Sequence, residues 1–278
     1  MKKTVLITGC SSGIGHCVAQ GLHARGYRVF ATARREESVA MLRSQGLESL
    51  LLDLNDSASI QQAVTQVLQE TDGKLYALFN NGAYGLPGAV EDLSREAIRA
   101  QFETNFFGWL ELTNLILPVM RQQGYGRIIQ NSSVLGFAAM PFRGAYNASK
   151  FALEGLSDTL RLELRGTQIF VSLIEPGPIA TNFRANAVRA FTRYIDIEKS
   201  VHRDRYAAVL NRLNKTGPAL PFTLPPEAVL QKVIRALEAS RPSARYYVTF
   251  PTHMFGLLKR ILPVGMLDKL LAKGSDHH

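Results

Sequence analysis

Thr4-Val5-Leu6-Ile7-Thr8-Gly9-Cys10-Ser11-Ser12-Gly13-Ile14-Gly15 is the stretch whose reading decides the fold. A short β-branched run ends in a turn carrying Gly9, Gly13 and Gly15, and a helical pattern then continues towards His23. Glycines let the backbone bend sharply and approach a pyrophosphate, whose charge is favoured at a helix N-terminus. Gly9, Ser11, Ser12, Gly13, Ile14 and Gly15 therefore form a candidate phosphate cradle. A glycine-rich turn can also be simply a tight turn; its place directly after the first strand favours the cradle.

The same alternation of apolar runs and amphipathic segments continues along the chain. Further strands are expected at Arg28–Thr32, Leu50–Leu54, Tyr76–Asn80, Arg127–Ser132, Phe170–Ile174 and Tyr246–Phe250. Between them lie patterns such as Ser57–Glu70, where Ile60, Val64, Val67 and Leu68 fall on one helical face. Strands alternating with helices predict an α/β fold, a doubly wound parallel sheet of seven strands (Rossmann fold), in one domain. Residues 1–182 would form the cofactor-binding and catalytic core. Residues 183–278 would supply substrate-binding and lid segments and the last strand. The Pro-rich stretch from Gly217-Pro218 to Pro225-Pro226 reads as a loop between helices.

The end of the second strand bears on cofactor choice. An NAD site usually places Asp or Glu there for the ribose 2′-hydroxyl. This chain has Ala31-Thr32-Ala33-Arg34-Arg35 instead. A guanidinium at Arg34 can pair with a 2′-phosphate through two parallel charged hydrogen bonds, so NADP(H) is the expected cofactor.

Asn131-Ser132-Ser133 closes the fifth strand, and Tyr146-Asn147-Ala148-Ser149-Lys150 follows. Residues four apart share a helix face, so Tyr146 and Lys150 can meet at the carboxyl edge of the sheet, where open α/β sheets bind ligands. Tyr-x-x-x-Lys by itself is common on plain surface helices. With Ser133 and the glycine loop it becomes specific. The chemistry follows: Ser133 would orient a carbonyl oxygen, and Tyr146 would donate the proton in reduction and accept it in oxidation. A free Tyr titrates near 10, and an ammonium about 4 Å away would lower that by roughly three units at an effective dielectric of 20.

With these pieces together, the chain resembles the short-chain dehydrogenase/reductase family. The matching residues are the loop at 8–15, Asp53-Leu54, Asn80-Asn81, Asn105, Ser133, Tyr146, Lys150 and Pro176-Gly177. The run Tyr146–Leu156 resembles the branch with 17β-hydroxysteroid and retinol dehydrogenases and bacterial NADPH-dependent aldehyde reductases. The resemblance implies a cofactor site that includes Leu54, Asn80, Pro176 and Gly177, with Asp53 on the adenine and Thr181 on the nicotinamide carboxamide. It implies that Asn105 holds a water linking Lys150 to solvent. It also implies a homodimer or homotetramer; leucines 153, 156, 160 and 164 suit such an interface or plain core packing. One departure stands out: the family's Asn-Asn-Ala-Gly is Asn80-Asn81-Gly82-Ala83 here.

The remaining features set the partners. Val134, Leu135, Phe137, Met140 and Phe142, with Phe183, Val188, Phe191, Tyr194, Tyr206, Leu210 and Phe222, suggest an apolar cleft, several of them packing a lid helix. An apolar carbonyl or alcohol is the expected substrate. Of the +9 net charge, none arises in residues 1–182, which balance; the excess lies in 183–278. No aromatic-basic interleaving accompanies it, so nucleic acid is not expected. The two cysteines, Cys10 and Cys17, read as reduced packing residues, no metal-ligand spacing occurs, and no signal peptide or spanning segment is visible, so the cytoplasm is the expected compartment. Phe255–Lys273 carries an apolar stripe beside Lys259, Arg260, Lys269 and Lys273. It fits a terminal helix on the core, a lid, or peripheral membrane contact. A non-catalytic NADP(H)-binding redox sensor is the alternative to an enzyme, and loss of Ser133, Tyr146 or Lys150 would be its mark.

Overall fold

The computed structural model describes residues 2–214, 217 and 221–276, with backbone alone for 273–276. Pro218 of the expected loop, the Lys273 side chain and His277-His278 lie outside the described residues. Seven strands form one parallel sheet in the order β3-β2-β1-β4-β5-β6-β7. They are β1 Thr4–Ile7, β2 Arg28–Ala33, β3 Glu48–Leu51, β4 Ala77–Asn80, β5 Gly126–Asn131, β6 Ile169–Glu175 and β7 Arg245–Tyr247. The helices α1 Gly13–Ala24, α2 Glu36–Ser44, α3 Ser57–Glu70, α4 Arg95–Phe102, α5 Gly108–Gln123 and α6 Gly144–Glu163 fall in the first part of the chain. Then come α7 Phe183–Tyr194, α8 Arg203–Asn214, α9 Glu227–Glu238, α10 Phe250–Ile261 and α11 Val264–Asp276.

The two-residue period of the pleat sorts the core into two layers. Val5, Ile7, Ala77, Phe79 and Ile129 face α1, α2 and α9, where Val18, Leu22, Val39, Leu42, Val233 and Leu237 are buried. Leu6, Leu78 and Ile128 face α3, α5 and α6, against Ile60, Trp109, Leu112, Ile116 and Leu153. Helix α3 spans the expected Ser57–Glu70, and the Asp56 side chain caps it by accepting from Ala58 N at 2.9 Å. Caps of this kind typically contribute about 1 kcal/mol.

Most strand ends shift by one residue from expectation, and β3 and β7 depart further. β3 begins at Glu48 rather than Leu50, because its register pairs Phe30 with Glu48. β7 ends at Tyr247, and the expected strand residue Phe250 opens α10, with Pro251 in its first turn. Proline there lacks only an N–H that the helix could not use. The C-terminal stripe is broken at Leu262-Pro263. Helix α10 buries Thr252 and Gly256, whereas no described side chain of α11 is buried.

Candidate active site

The carboxyl ends of β1, β4 and β5 meet at the glycine loop. Gly9 and Gly13 have φ of +71° and +59°, left-handed values that only glycine adopts cheaply. A Cβ on Gly15 would stand 2.2 Å from Gly9 O, and one on Gly9 would stand 2.5 Å from Gly82 Cα. The backbone can therefore close up only without side chains. Ser12 precedes α1 in extended conformation, and its hydroxyl does not cap the helix. The leading N–H groups of α1 are thus left for a ligand, at the positive end of the helix dipole.

Asn81, absent from the expected site, braces this loop. Its Nδ2 donates to Thr8 O at 3.0 Å and Gly9 O at 3.2 Å, and its Oδ1 accepts from Asn131 Nδ2 at 2.8 Å. Thr8 Oγ1 accepts from the N–H groups of Asn81 and Gly82. Asn80 is turned to the other side of the pleat: it is fully buried and donates to Thr113 Oγ1 at 3.1 Å. The alternation of side chains past a strand end was the signal that could have told the two apart. The Gly82-Ala83 exchange also has a geometric role. A Cβ on Gly82 would sit 3.0 Å from Leu54 Cδ1 and 3.3 Å from Gly9 N, so glycine there eases the loop's approach.

The other expected cofactor residues border the same edge. Arg34 is exposed and makes no ion pair among the described residues. Asp53 follows β3, accepting from Asn55 N at 3.0 Å, and Leu54 is buried beside it. Pro176 O accepts from Val134 N at 2.8 Å, and Gly177 abuts Thr249 so closely that a Cβ would lie 2.2 Å from its hydroxyl. The Thr181 methyl faces Gly13, about where a Cβ there would be 3.0 Å away. The cradle, the open helix end and the lone guanidinium fit a dinucleotide. Gly9–Gly15 would hold its pyrophosphate, with Asp53 and Arg34 to the adenosine side and Thr181 to the nicotinamide side.

Ser133, Tyr146 and Lys150 converge next to this cradle. Ser133 lies two residues past the end of β5 and caps the following turn, accepting from Leu135 N at 3.1 Å. Burial pushes the Tyr146 phenol up to about 12, although the neighbouring Ser133 hydroxyl acts in the opposite sense. Lys150 Nζ donates to Asn131 O at 2.7 Å and lies 4.3 Å from the centre of the Trp109 ring. Burial lowers its pKa to about 7, with Glu154 acting in the opposite sense. The expected three-unit lowering of Tyr146 by Lys150 is therefore not what this structure shows. Lys150 is anchored to Asn131, 5.7 Å from the centre of the Tyr146 ring, and desolvation dominates both groups. Asn105 sits in a π-helical turn, Glu103–Phe107, between α4 and α5. Its Nδ2 donates to Tyr84 O at 2.8 Å and Ser149 Oγ at 3.3 Å, which places it one residue from Lys150.

Behind Ser133 lies a buried acid pair that the sequence reading missed. Glu154, one turn after Lys150, accepts from Ser132, and Glu175 ends β6. Arg245 of β7 reaches Glu154 at 2.9 Å, Asp158 at 2.8 Å and Glu175 at 3.4 Å. Burial and the neighbouring Glu154 carboxyl raise Glu175 to about 9, which favours its protonated form at neutral pH.

The expected cleft residues divide. Phe183 packs edge-on against Tyr146, ring centres 5.4 Å apart, and lines the approach to the phenol. Phe142, Val188, Phe191, Tyr206 and Leu210 instead belong to a small core that packs α7 and α8 against Ala89.

The family model described as short chain dehydrogenase matches residues 3–190. The chain belongs to the short-chain dehydrogenase family. It is 43% identical over 271 residues to the uncharacterized oxidoreductase YbbO of Escherichia coli K12, covering 98% of this chain and 94% of that protein. It is 33% identical over 254 residues to retinol dehydrogenase 8 of Homo sapiens, covering 87% and 80%. Among solved structures, actinorhodin polyketide ketoreductase with NADPH superposes with a TM-score of 0.72 at 28% identity, covering 89% and 95%. The chain is thus an oxidoreductase of this family with a Rossmann-type fold. Among the described residues no helix is long and apolar enough to cross a membrane.

Proposed function

We propose that this oxidoreductase uses NADP(H) to interconvert an apolar carbonyl compound and its alcohol, with Tyr146 as the acid and base. The convergence of Ser133, Tyr146 and Lys150 beside the open glycine loop carries this reading. When bound, the nicotinamide supplies or takes the hydride. Ser133 orients the carbonyl oxygen against the Tyr146 hydroxyl. Because burial keeps the phenol protonated at neutral pH, Tyr146 is ready to donate in the reductive direction. Lys150 stabilises the phenolate left behind, and Asn131 and Asn105 fix the backbone and helix that present it. In oxidation the phenol must first lose its proton, so that direction gains with rising pH. Arg34, with no carboxylate at the end of β2, supports a 2′-phosphate and hence NADP(H).

An apolar substrate is supported by Phe183 over the phenol and by the name of the retinol dehydrogenase relative. The presence of all three chemical groups weighs against a non-catalytic redox sensor. The reading includes a cytoplasmic homodimer or homotetramer, with exposed Phe151 and Leu162 of α6 available for association. Turnover of aldehydes and ketones with NADPH against NADH tests the proposal. Oxidation of NADPH by at least some of them is expected, and inertness of the whole panel with both cofactors would refute it.

A further inference from the structure

The last two helices turn apolar side chains away from the core. In α10, Phe250, Leu257 and Ile261 recur at intervals of seven and four and so share one face; they are 59%, 60% and 63% exposed. The opposite face is the packed one. Thr252 and Gly256 are buried there, and a Cβ on Gly256 would stand 2.6 Å from the Tyr247 ring. A helix needs one apolar face to join the core, and α10 carries a second towards water. In α11, Met266 and Leu270 are exposed on one side of the helix, opposite Asp268.

Phe222 extends this surface. Its ring centre lies 5.1 Å from that of Phe250, and both rings are more than half exposed. Phe222 has a φ of +62°, a conformation costly for a bulky residue, and burial does not offset that cost. The surface begins beside the approach to Tyr146. Ala180 N donates to Leu224 O at 2.9 Å and Leu224 N to Pro178 O at 3.1 Å, which ties the Phe222 segment to the loop after β6. That loop leads to Thr181 and to Phe183, which packs on the Tyr146 ring. Phe250 follows Thr249, against which Gly177 of the same loop is packed.

Charge selects the occupant. Residues 250–278 hold Lys259, Arg260, Lys269 and Lys273 against Asp268 and Asp276. Lys259, Arg260 and Lys269 are exposed. A second copy of the chain would bring the same cations to the rim of the same patch, where they repel. A layer of anionic headgroups neutralises them, while the boundary beneath it takes the apolar side chains. Helices of 12 and 13 residues suit contact along such a surface, not passage through it.

We propose that α10 and α11, with Phe222, dock peripherally on an anionic lipid surface and set the approach to Tyr146 against it. Entry of substrate from the lipid rests on the reading of Tyr146 as the acid and base for an apolar carbonyl or alcohol.

Co-sedimentation of the full chain with lipid vesicles tests the docking without turnover. Vesicles of phosphatidylcholine mixed with phosphatidylglycerol should bind it about tenfold or more tighter than phosphatidylcholine alone, and added salt should weaken the association. Leu257→Gln combined with Ile261→Gln removes apolar surface without altering charge, and should weaken binding to the mixed vesicles about tenfold or more. Met266→Gln combined with Leu270→Gln probes α11 in the same way. All four positions are exposed, and melting curves identify any variant that has not folded. No binding of the wild type at low salt overturns the proposal. Binding that survives in both folded double variants also overturns it, since that is plain attraction of a basic chain to anionic lipid. A dimer that these variants break, in a chain that ignores vesicles, would assign the face to a second copy instead. Turnover separates the two readings. Reduction of dissolved aldehydes without vesicle binding would keep the reaction and remove the docking. Vesicle binding through this face without turnover by either nicotinamide would do the reverse.

Discussion

Gly15→Ala tests whether the loop geometry, rather than its composition, makes the cofactor site. Gly15 is inside α1, where alanine would by propensity alone stabilise the helix by about 1 kcal/mol. The structure reverses that sign. The new Cβ would lie 2.2 Å from Gly9 O, 2.9 Å from Gly9 C and 2.6 Å from Asn81 Nδ2. Ordinary carbon contacts begin near ~3.5 Å, so the overlap exceeds an ångström, and most of it is with backbone. Overpacking of this kind costs about 1–3 kcal/mol, leaving a net loss of up to about 2 kcal/mol, or up to roughly 8 °C in melting temperature. Relief requires Gly9 to move, which disturbs the amides meant for the pyrophosphate, so NADPH affinity should fall about tenfold or more. Gly82→Ala is the internal control. Its Cβ would press chiefly on the tip of Leu54 at 3.0 Å, which can shift, and the loss should stay below about 1 kcal/mol. Thermal melts and NADPH fluorescence titrations of both variants decide the matter. A Gly15→Ala protein that melts higher than wild type and binds NADPH equally well would refute the reasoning.

Arg34→Asp should weaken NADPH binding and improve the ratio of NADH to NADPH kcat/KM; an unchanged ratio would remove Arg34 from the cofactor site. For the acid pair, Glu175 keeps its proton up to about pH 9 when folded but loses it near 4.5 when unfolded, so folding becomes less favourable as pH rises through that window. Glu175→Gln should therefore gain stability relative to wild type between pH 5 and 9, at a slope of at most about 1.4 kcal/mol per unit, and parallel pH–stability curves would contradict this. Deleting residues 264–278 should leave the melting temperature within about 2 °C, since α11 buries no described side chain; a larger fall would place it on the core.

The fold was legible because periodicity and turn residues agree along most of the chain. Strands at 4–7, 28–33, 77–80 and 126–131 and the helix at 57–70 each show one clear pattern. The end of β7 was misread because Tyr246–Phe250 is uniformly strand-forming, and only the helix-opening position of Pro251 marks the change. At the site, residue identities at fixed spacing located Ser133, Tyr146 and Lys150 but not their electrostatics. Lys150's bond to Asn131 and the burial of both partners are tertiary facts with no local signal. The Glu154–Glu175–Arg245 cluster was hidden for the same reason, since its members lie on α6, β6 and β7. Asn81 was within reach, because strand alternation sends it and Asn80 to opposite faces.

The most direct test of the central claim is the turnover of Tyr146→Phe with NADPH and a reducible aldehyde, measured beside its NADPH affinity. Only the hydroxyl is removed, and the ring that packs on Phe183 stays. If Tyr146 is the acid, kcat should fall by about 10²–10⁴-fold or more while the NADPH dissociation constant stays close to wild type. A Tyr146→Phe protein that keeps most of its kcat would contradict the account.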